Sequence, residues 1–297
     1  MAAAATTGTT LTELVNAEFI EPLIMDYAVD KMVITPLVRV SNLAGKQTKI
    51  ASFPRWVKDS GADVSDGSAM TVDDLETTEV ATVTAATVGV YREVTDMAAE
   101  TNVLGPAGIA DYVARDGAML CSEMLEDDLA ARFASASNSV GTSGSDLSVA
   151  NFVEALAKLD TTKARGQKVC VLDDQQAFDL RAAVAASGAA VFGNAASGAQ
   201  SILNANSDAF LGELFGVKTW LTNLTDTANS GADVVGAMMI NGAADPGFAP
   251  IGVALLWLPR VKMLPSISGI STLFGITMSY GEGEINDDGY VKIVTDA

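Results

Sequence analysis

The chain has 297 residues, 49% of them hydrophobic, and a formal net charge of −19 from 18 basic and 37 acidic side chains. That length fits one large domain or two ordinary ones. The acidic balance is opposite to that of a free nucleic-acid-binding domain, and it favours solubility while opposing contact between copies. No apolar run reaches the length of a membrane helix, and the first residues lack the features of a secretory signal.

The chain has no histidine and two cysteines, Cys121 and Cys170. Histidine is the commonest general base and the commonest metal ligand, so its absence disfavours catalysis and metal binding. Two cysteines are too few for a zinc site, and both lie in apolar stretches, which predicts buried thiols without a disulfide framework. We therefore expect no enzyme activity, no cofactor and no metal site.

Residues 9–35 have the spacing of an amphipathic helix, with Phe19 and Leu23 in its apolar stripe. Pro22 and Pro36 divide the segment into short pieces, because proline removes a helical hydrogen bond and clashes with the preceding turn. The sequence therefore predicts an N-terminal arm that docks on another surface.

An extended region is expected from Val38 to Phe53, with a turn at residues 42–45. Pro54 cannot donate a ladder hydrogen bond, so this strand is expected at a sheet edge. Residues 58–76 are rich in Gly, Asp and Ser and are predicted to form a polar, solvated tip, whose five aspartates lack the spacing of a calcium loop. The chain is then expected to return as a strand over residues 77–94.

The returning strand is dense in Val and Thr and is much longer than the usual strand of about six residues. At about 3.3 Å for each residue it reaches roughly 60 Å. A two-stranded ribbon of that length is marginal alone in water, and a neighbouring copy of the chain is the simplest surface for it. Its apolar positions change parity at Ala85–Ala86, which predicts a bulge or a twist at the base of the arm.

Gly105–Pro106 predicts the start of a long helix that continues to Ser135, since proline is tolerated in a first turn. An apolar stripe with many small residues predicts the face that another element approaches; its members are Ala110, Val113, Ala114, Gly117, Ala118, Cys121, Leu125, Leu129 and Phe133. The opposite, polar face is predicted from Asp111, Arg115, Ser122 and Glu126. The acidic end of the helix is expected to face solvent; it comprises Glu123, Glu126, Asp127 and Asp128.

Residues 136–148 have the composition of a flexible loop and predict a subdomain boundary. The region beyond has an α/β-like pattern, with helices expected at Val149–Leu159 and Asp174–Ala186 and strands at Lys168–Leu172, Phe215–Leu221, Asp233–Ile240 and Ile251–Trp257. Two final strands, Thr272–Tyr280 and Tyr290–Val294, are expected to pair through a hairpin turn at Asp287–Gly289. Gly212–Thr219 superficially matches a phosphate loop, but its spacing is one residue short, and a turn into a strand is the preferred interpretation.

Several stretches resemble the major capsid protein family of tailed bacteriophages, which has the Hong Kong 97 phage-type capsid fold. They are residues 34–38, which lead into residues 46–54, and residues 214–221, where Thr219 replaces the usual valine. The resemblance covers nearly the whole chain as an order of elements. It implies an α+β chain with an N-arm, an extended β-hairpin loop, a peripheral domain with a long spine helix, and an axial domain.

The resemblance also implies domain boundaries. They are residues 1–40 for the N-arm, 41–95 for the extended loop, 96–147 for the peripheral domain with its spine helix, 148–262 for the axial domain, and 263–297 for the C-terminal return to the peripheral domain. The arm and the loop of family members reach across neighbouring subunits. Intersubunit contacts are therefore expected at the apolar residues Phe19, Leu23, Phe53, Trp56, Val57, Met70 and Leu75.

The role implied by the resemblance is structural: hexamers and pentamers of this chain build an icosahedral shell around double-stranded DNA. The expected partners are further copies, a portal, a decoration protein in some systems, and a separate scaffolding protein because the chain starts shortly before the arm. The DNA is enclosed without sequence-specific binding, and the protein belongs to the virion after assembly in the host cytoplasm. Some members form a Lys–Asn crosslink between subunits, for which Lys58 and Asn286 are the pair to consider; a solvated Lys58 is the simpler interpretation.

Two other classes of protein remain open. An encapsulin-like nanocompartment has the same fold and encloses an enzyme rather than DNA, and neighbouring genes for a portal, a terminase or a scaffold would exclude it. A self-associating surface or sheath protein is the second alternative. An enzyme is disfavoured by the absent histidine and the missing motifs.

Overall fold

The computed structural model describes residues 32–55, 79–101, 105–162, 166–186, 209–266 and 270–297. Within these ranges the helices are α1 (Asp96–Thr101), α2 (Gly105–Ala131), α3 (Val149–Thr161) and α4 (Asp174–Ala186). The strands are β1 (Arg39–Asn42), β2 (Ile50–Arg55), β3 (Glu79–Thr84), β4 (Ala86–Thr95), β5 (Ser139–Val140), β6 (Lys168–Leu172), β7 (Phe210–Leu214), β8 (Val217–Leu221), β9 (Asp226–Ala228), β10 (Asp233–Ile240), β11 (Ile251–Ser266), β12 (Ser271–Glu284) and β13 (Tyr290–Asp296). The predicted α+β class is confirmed.

The described strands form three sheets. The first has the order β1–β11–β12–β4, and its long strands β11 and β12 form an antiparallel pair. The second has the order β5–β13–β10–β6–β8–β7, with β9 added beside β10. The third is the two-stranded ribbon of β2 and β3, which we call the arm base because its two strands flank residues 56–78 of the predicted extended loop.

The second sheet is covered on both faces. Its strand β10 is buried at every position from Asp233 to Ile240, as expected for a central strand with two packed sides. Helices α3 and α4 cover one face through Phe152, Leu159 and Leu180. The other face shares one large core with α2 and the first sheet, so the arrangement of the layers depends on α2.

Helix α2 confirms the long helix predicted from Gly105 onward, and it continues as a 3-10 turn over Arg132–Ser135. Its predicted apolar face is buried at the positions with described side chains, which are Val113, Gly117, Cys121, Leu125, Leu129 and Phe133. A Cβ at Gly117 would overlap the Cδ1 atom of Ile276 in β12. The small residue is therefore what allows the close approach of helix and sheet.

The predicted hairpin between the last two strands is wrong. Strand β12 pairs with β11 and β4, whereas β13 pairs with β10 and β5. A 3-10 turn at Asp287–Gly289 lies between them, as the turn signal indicated, and Oδ1 of Asn286 accepts a hydrogen bond from the amide of Asp288. The chain leaves this turn towards the second sheet, because β13 satisfies its backbone along seven positions of β10 there.

Candidate assembly elements

The arm base contacts the rest of the subunit through one face only. Strands β2 and β3 pair from Ile50–Thr84 to Arg55–Glu79. The inner face forms a small core whose members are Leu43, Ala51, Phe53, Val83 and Ala254. The outer face is exposed and carries Ile50 at 45% and Val80 at 53% exposure. Within the described residues β2 pairs with β3 alone, which confirms the edge position predicted from Pro54.

Three glycines of the first sheet form the surface under the arm base: Gly252 of β11 and Gly281 and Gly283 of β12. A Cβ at Gly283 would lie 2.7 Å from Cγ2 of Val83, and a Cβ at Gly252 would lie 3.0 Å from the ring of Phe53. A Cβ at Gly281 would overlap the carbonyl oxygen of the last residue of β3. We call these three residues the glycine surface, since no side chain fits between the arm base and the sheet.

The glycine surface was not predicted, although the sequence contains a signal for it. Glycine and glutamate alternate over residues 281–284. Because successive residues of a strand point to opposite faces, both glycines lie on one face and both glutamates on the other. The bare face lies against the arm base, and Glu282 on the other face pairs with Arg132 of the 3-10 turn after α2 at 2.7 Å.

The parity change at Ala85–Ala86 marks a change of sheet. Strand β3 ends at Thr84 beside β2, and β4 begins at Ala86 beside β12. The amide of Ala85, between them, donates to the carbonyl oxygen of Lys49 at 2.8 Å. The predicted interruption is confirmed at this position, but a change of partner strand takes the place of the predicted bulge or twist. The prediction of one long ribbon strand over residues 77–94 is therefore wrong, because only β3 pairs with β2, and β4 belongs to the first sheet. Odd-numbered side chains point inward in the arm base, whereas even-numbered side chains point towards α2 in the first sheet. The chain therefore has to change phase between the two sheets.

Glu126 is buried, which corrects the prediction that it lies on a solvent-facing side of α2. The residue is 1% exposed, and its carboxylate accepts hydrogen bonds from the backbone amides of Val33 at 3.1 Å, Ile34 at 2.6 Å and Thr35 at 2.9 Å. The hydroxyl of Thr35 donates to the same carboxylate at 2.6 Å. A pattern of polar and apolar residues does not detect such a group, because a carboxylate with several donors around it can be buried.

Ser122 of the predicted polar face and Asp128 of the predicted acidic end also need correction. Ser122 is buried and donates to the carbonyl oxygen of Met119 at 2.9 Å, which satisfies the hydroxyl inside the helix. Asp128 is half-buried and accepts a hydrogen bond from the hydroxyl of Tyr280 in β12 at 2.6 Å. Burial and the Asp128 carboxylate both raise the pKa of Tyr280, so the phenol stays neutral and keeps donating. Glu123 and Asp127 are exposed, as predicted.

Both cysteines are buried, as predicted. Burial raises the pKa of Cys121 to about 11 and also raises the pKa of Cys170. Because the thiolate is the nucleophilic form, neither thiol is activated for chemistry.

The described residues also bear on metal binding, membrane insertion and phosphate binding. No group of three or more Cys, Asp or Glu side chains among them is placed to hold a metal ion. No helix among these residues is long and apolar enough to cross a membrane. The segment Gly212–Thr219 lies in the β7–β8 hairpin, with Phe215 at φ 53° and Gly216 at φ 78° in the turn. A phosphate loop joins a strand to a helix, so the interpretation as a turn into a strand is confirmed.

The residues predicted to contact neighbouring subunits have different positions. Phe53 is 1% exposed in the core of the arm base, where the Arg39 guanidinium lies 5.2 Å from its ring centroid. It therefore supports the arm base from inside the subunit. The other six lie outside the described residues, and their contacts stay a prediction; they are Phe19, Leu23, Trp56, Val57, Met70 and Leu75.

The proposed crosslink pair is described at one end only. Lys58 and the polar tip lie outside the described residues. Asn286 is 5% exposed, and its side chain caps the 3-10 turn before β13. A bond from Asn286 to a neighbour would require this cap to open.

Comparison with known proteins finds no matching protein family and no matching curated sequence. Solved structures do match. The capsid of cyanophage P-SCSP1u has a TM-score of 0.64 and 14% identity, covering 89% of this chain and 88% of that chain. A protein of Mycobacterium phage Che8 has a TM-score of 0.62 and 17% identity, covering 99% of this chain and 93% of that one. The holo-SrpI encapsulin complex from Synechococcus elongatus PCC 7942 has a TM-score of 0.58 and 10% identity, covering 99% and 93% respectively.

These similarities extend over almost the full length of each chain, so they concern the whole fold rather than one motif. The chain has the capsid fold of tailed bacteriophages, the Hong Kong 97-type fold that the resemblance implied. An encapsulin complex has a similar structure, so the fold alone does not distinguish a phage capsid from an encapsulin.

Proposed function

We propose that this chain is a major capsid protein, whose copies assemble as hexamers and pentamers into an icosahedral shell that encloses double-stranded DNA. The observation that carries the proposal is the arm base, a two-stranded ribbon with one open face, on a chain with a capsid fold. The first sheet of the same subunit covers the inner face of this ribbon, while Ile50 and Val80 remain exposed on its outer face. In a shell, a neighbouring copy would cover that outer face.

The proposed domains follow the order of the helices and strands along the chain. We assign residues 1–40 to the N-arm, 41–95 to the extended loop, and α2 to the spine helix of a peripheral domain that starts at residue 96. Helices α3 and α4 with the second sheet correspond to the axial domain. Because β11 is continuous from Ile251 to Ser266 and belongs to the first sheet, we move the end of the axial domain from residue 262 to residue 250.

The proposed partners are those of a shell that is built around DNA. A separate scaffolding protein guides assembly, a portal occupies one vertex, and a decoration protein binds the outside in some systems. The net charge of −19 opposes adhesion to a polyanion, which suits enclosure of DNA without sequence-specific binding. The protein then belongs to the virion, after assembly in the host cytoplasm.

Assembly of the purified full chain tests the proposal. Light scattering and electron microscopy are expected to detect closed shells or ring-shaped capsomers. Val80→Glu places a charge on the outer face of the arm base, where it would be buried against a neighbour, so we expect the yield of shells to fall at least about tenfold. Val153→Glu is the matched control, since Val153 is 41% exposed on α3 and away from the arm base. A stable monomer at high concentration contradicts the proposal, and equal loss in both variants contradicts the role of the arm base.

An encapsulin-like shell is the second candidate, favoured by the structural likeness to the holo-SrpI encapsulin complex. The two candidate shells differ in what they enclose, which is DNA or a protein cargo, rather than in the fold of the subunit. Particles isolated from the native source are expected to contain nuclease-protected double-stranded DNA. A protein cargo in place of DNA would support the encapsulin, and genes for a portal or a terminase beside this one would exclude it.

A further inference from the structure

We propose that the outer face of the arm base of one subunit packs on the first sheet of a second copy, at the end of that sheet which the second copy's own arm base leaves open. The contact rests on the proposed function and deepens it, because it names the surface that receives a neighbour. The two surfaces lie on different parts of the subunit. The contact is therefore heterologous, and such contacts close into rings when the rotation between copies allows it.

One face of the first sheet is covered only in part. Strand β12 pairs with β4 from Ser271 to Tyr280 without a register shift, so its odd-numbered side chains share one face. At one end of this face the arm base lies on Gly281 and Gly283. Towards the other end the same face continues through Thr277, Gly275 and Leu273 of β12, beyond the arm base.

This second part of the face, which we call the open end, is made by residues that pair across three strands. They are Tyr91 and Glu93 of β4, Leu273, Gly275 and Thr277 of β12, and Arg260, Lys262 and Leu264 of β11. Tyr91 is 67% exposed and Leu264 is 65% exposed, which are among the largest exposures of big hydrophobic side chains in the described residues. The ring of Tyr91 lies over the bare strand at Gly275, where a Cβ would be 3.2 Å from its Cε1 atom. Adjacent exposed apolar side chains of this kind mark an interaction surface.

The outer face of the arm base suits such a surface because it is uncharged. Its six side chains are all exposed; they are Ile50, Ser52 and Pro54 of β2 and Val80, Thr82 and Thr84 of β3. Charged side chains commonly protect an exposed ribbon from association, and this face has none. The inner face already packs on Ala254 of the first sheet in its own subunit. A second sheet on the outer face would therefore enclose the arm base between two sheets.

The distribution of charge favours a second copy as the occupant of the open end. A net charge of −19 opposes contact between the acidic surfaces of two copies. The outer face of the arm base adds no charge, and the open end carries two basic side chains, Arg260 and Lys262, with one acidic side chain, Glu93. The carboxylate of Glu93 accepts a hydrogen bond from the hydroxyl of Ser271 at 2.6 Å. Neither surface therefore has the acidic excess that keeps copies apart.

Cross-linking between two single-cysteine variants of the full chain tests the contact. Val80→Cys places a thiol on the outer face of the arm base, and Leu264→Cys places one on the open end. The native Cys121 and Cys170 are buried, so a short bis-maleimide reacts with the introduced thiols. We expect an assembled mixture of the two variants to give a cross-linked dimer on a denaturing gel, and each variant alone to give none. Val80→Cys mixed with Val153→Cys is the matched control, since Val153 is exposed on α3, and no dimer is expected there.

Leu264→Glu supplies a second measurement that does not depend on cross-linking. The side chain is exposed in the unassembled subunit, so we expect the urea unfolding midpoint to stay unchanged. In the contact the new charge would be buried against an uncharged face, and the yield of shells is expected to fall at least about tenfold. Val153→Glu is again the control and should keep its yield.

The pattern of cross-links separates this contact from its alternatives. Dimers in Val80→Cys alone would mean that two arm bases pack on each other, and dimers in Leu264→Cys alone that two open ends meet; either result overturns the proposal. Shells without the mixed cross-link also overturn it and leave the proposed function intact. Mixed cross-links in oligomers that never close support the contact and contradict the shell. Wild-type chains that remain monomeric contradict both.

Discussion

We predict that a single methyl group added to the glycine surface lowers the stability of the subunit, because it clashes with the arm base. A second substitution that removes the clashing atom is expected to relieve this loss. Gly283→Ala adds a Cβ 2.7 Å from Cγ2 of Val83, with no other atom within 3.4 Å. A contact of that length is well inside van der Waals separation, so the arm base has to move or Val83 has to change its rotamer. Overpacking of this kind costs about 1–3 kcal/mol, while alanine gains about 0.5–1 kcal/mol over glycine in a strand. We expect a net loss of about 1 kcal/mol.

Val83→Ala removes the overlapping atom. Val83 is 4% exposed in the core of the arm base, and loss of two methyl groups there is expected to cost about 2 kcal/mol. In this background the added methyl of Gly283→Ala enters the vacated space and keeps its strand advantage. The double variant is therefore expected to lose about 1.5 kcal/mol, instead of the roughly 3 kcal/mol that independent effects would give.

Urea unfolding of the unassembled subunit, followed by tryptophan fluorescence, measures the four stabilities of this cycle. Gly247→Ala is the control, because a Cβ at Gly247 has no atom within 4 Å, and its effect is expected to add to that of Val83→Ala. If the Gly283 and Val83 effects also add within about 0.5 kcal/mol, the arm base does not rest on this glycine. The account of the glycine surface would then be refuted.

Two further predictions concern α2 and alkaline pH. Gly117→Ala is expected to cost about 1–2 kcal/mol despite the better helix propensity of alanine, because its Cβ would overlap Ile276, and Ile276→Val should recover part of that loss in urea unfolding. Equal costs in both backgrounds would contradict this. The raised pKa values of Cys121, to about 11, and of Tyr280 mean that both groups stay protonated in the fold while the unfolded chain ionises near pH 9 and 10. Their stabilisation is therefore complete below about pH 9 and is lost as the pH rises further, which urea midpoints between pH 7 and 10.5 can measure. Tyr280→Phe is expected to reduce this alkaline loss, and an unchanged profile in that variant would contradict its assignment to Tyr280.

Much of the fold follows from local patterns in the sequence. Helix α2 was predictable because its apolar stripe is long and its first turn has a clear start signal. The interruption at Ala85 was predictable because the apolar residues change there from odd to even positions. A single regular strand would turn one of these two sets of apolar side chains to solvent. The short strands β5, β7 and β9 were not predicted, since two to five residues carry too little periodicity to distinguish a strand from a loop.

The remaining features depend on contacts between distant segments. The turn before β13 has a local signal, but its side chains contain no information about which sheet the next strand joins. Glu126 has an ordinary position on the polar side of α2, and its burial depends on a segment 93 residues earlier. Because carboxylates are almost always exposed, the sequence pattern predicts that Glu126 faces solvent. The pattern contains no signal for a carboxylate that is buried as an acceptor for backbone amides.

Residues 33–35 and the arm base are attached to neighbouring elements of the fold. Residues 33–35 are held on α2 by Glu126, and the arm base lies on β12 at the glycine surface. Helix α2 and β12 are themselves joined by the close approach at Gly117 and by the hydrogen bond from Tyr280 to Asp128 at 2.6 Å. Because packed interiors have little free volume, neither attachment can shift far without moving the other. In the proposed shell, the geometry between neighbouring subunits is therefore expected to depend on α2 and β12, and a substitution that loosens this pair should change the shell size seen by electron microscopy before it prevents folding.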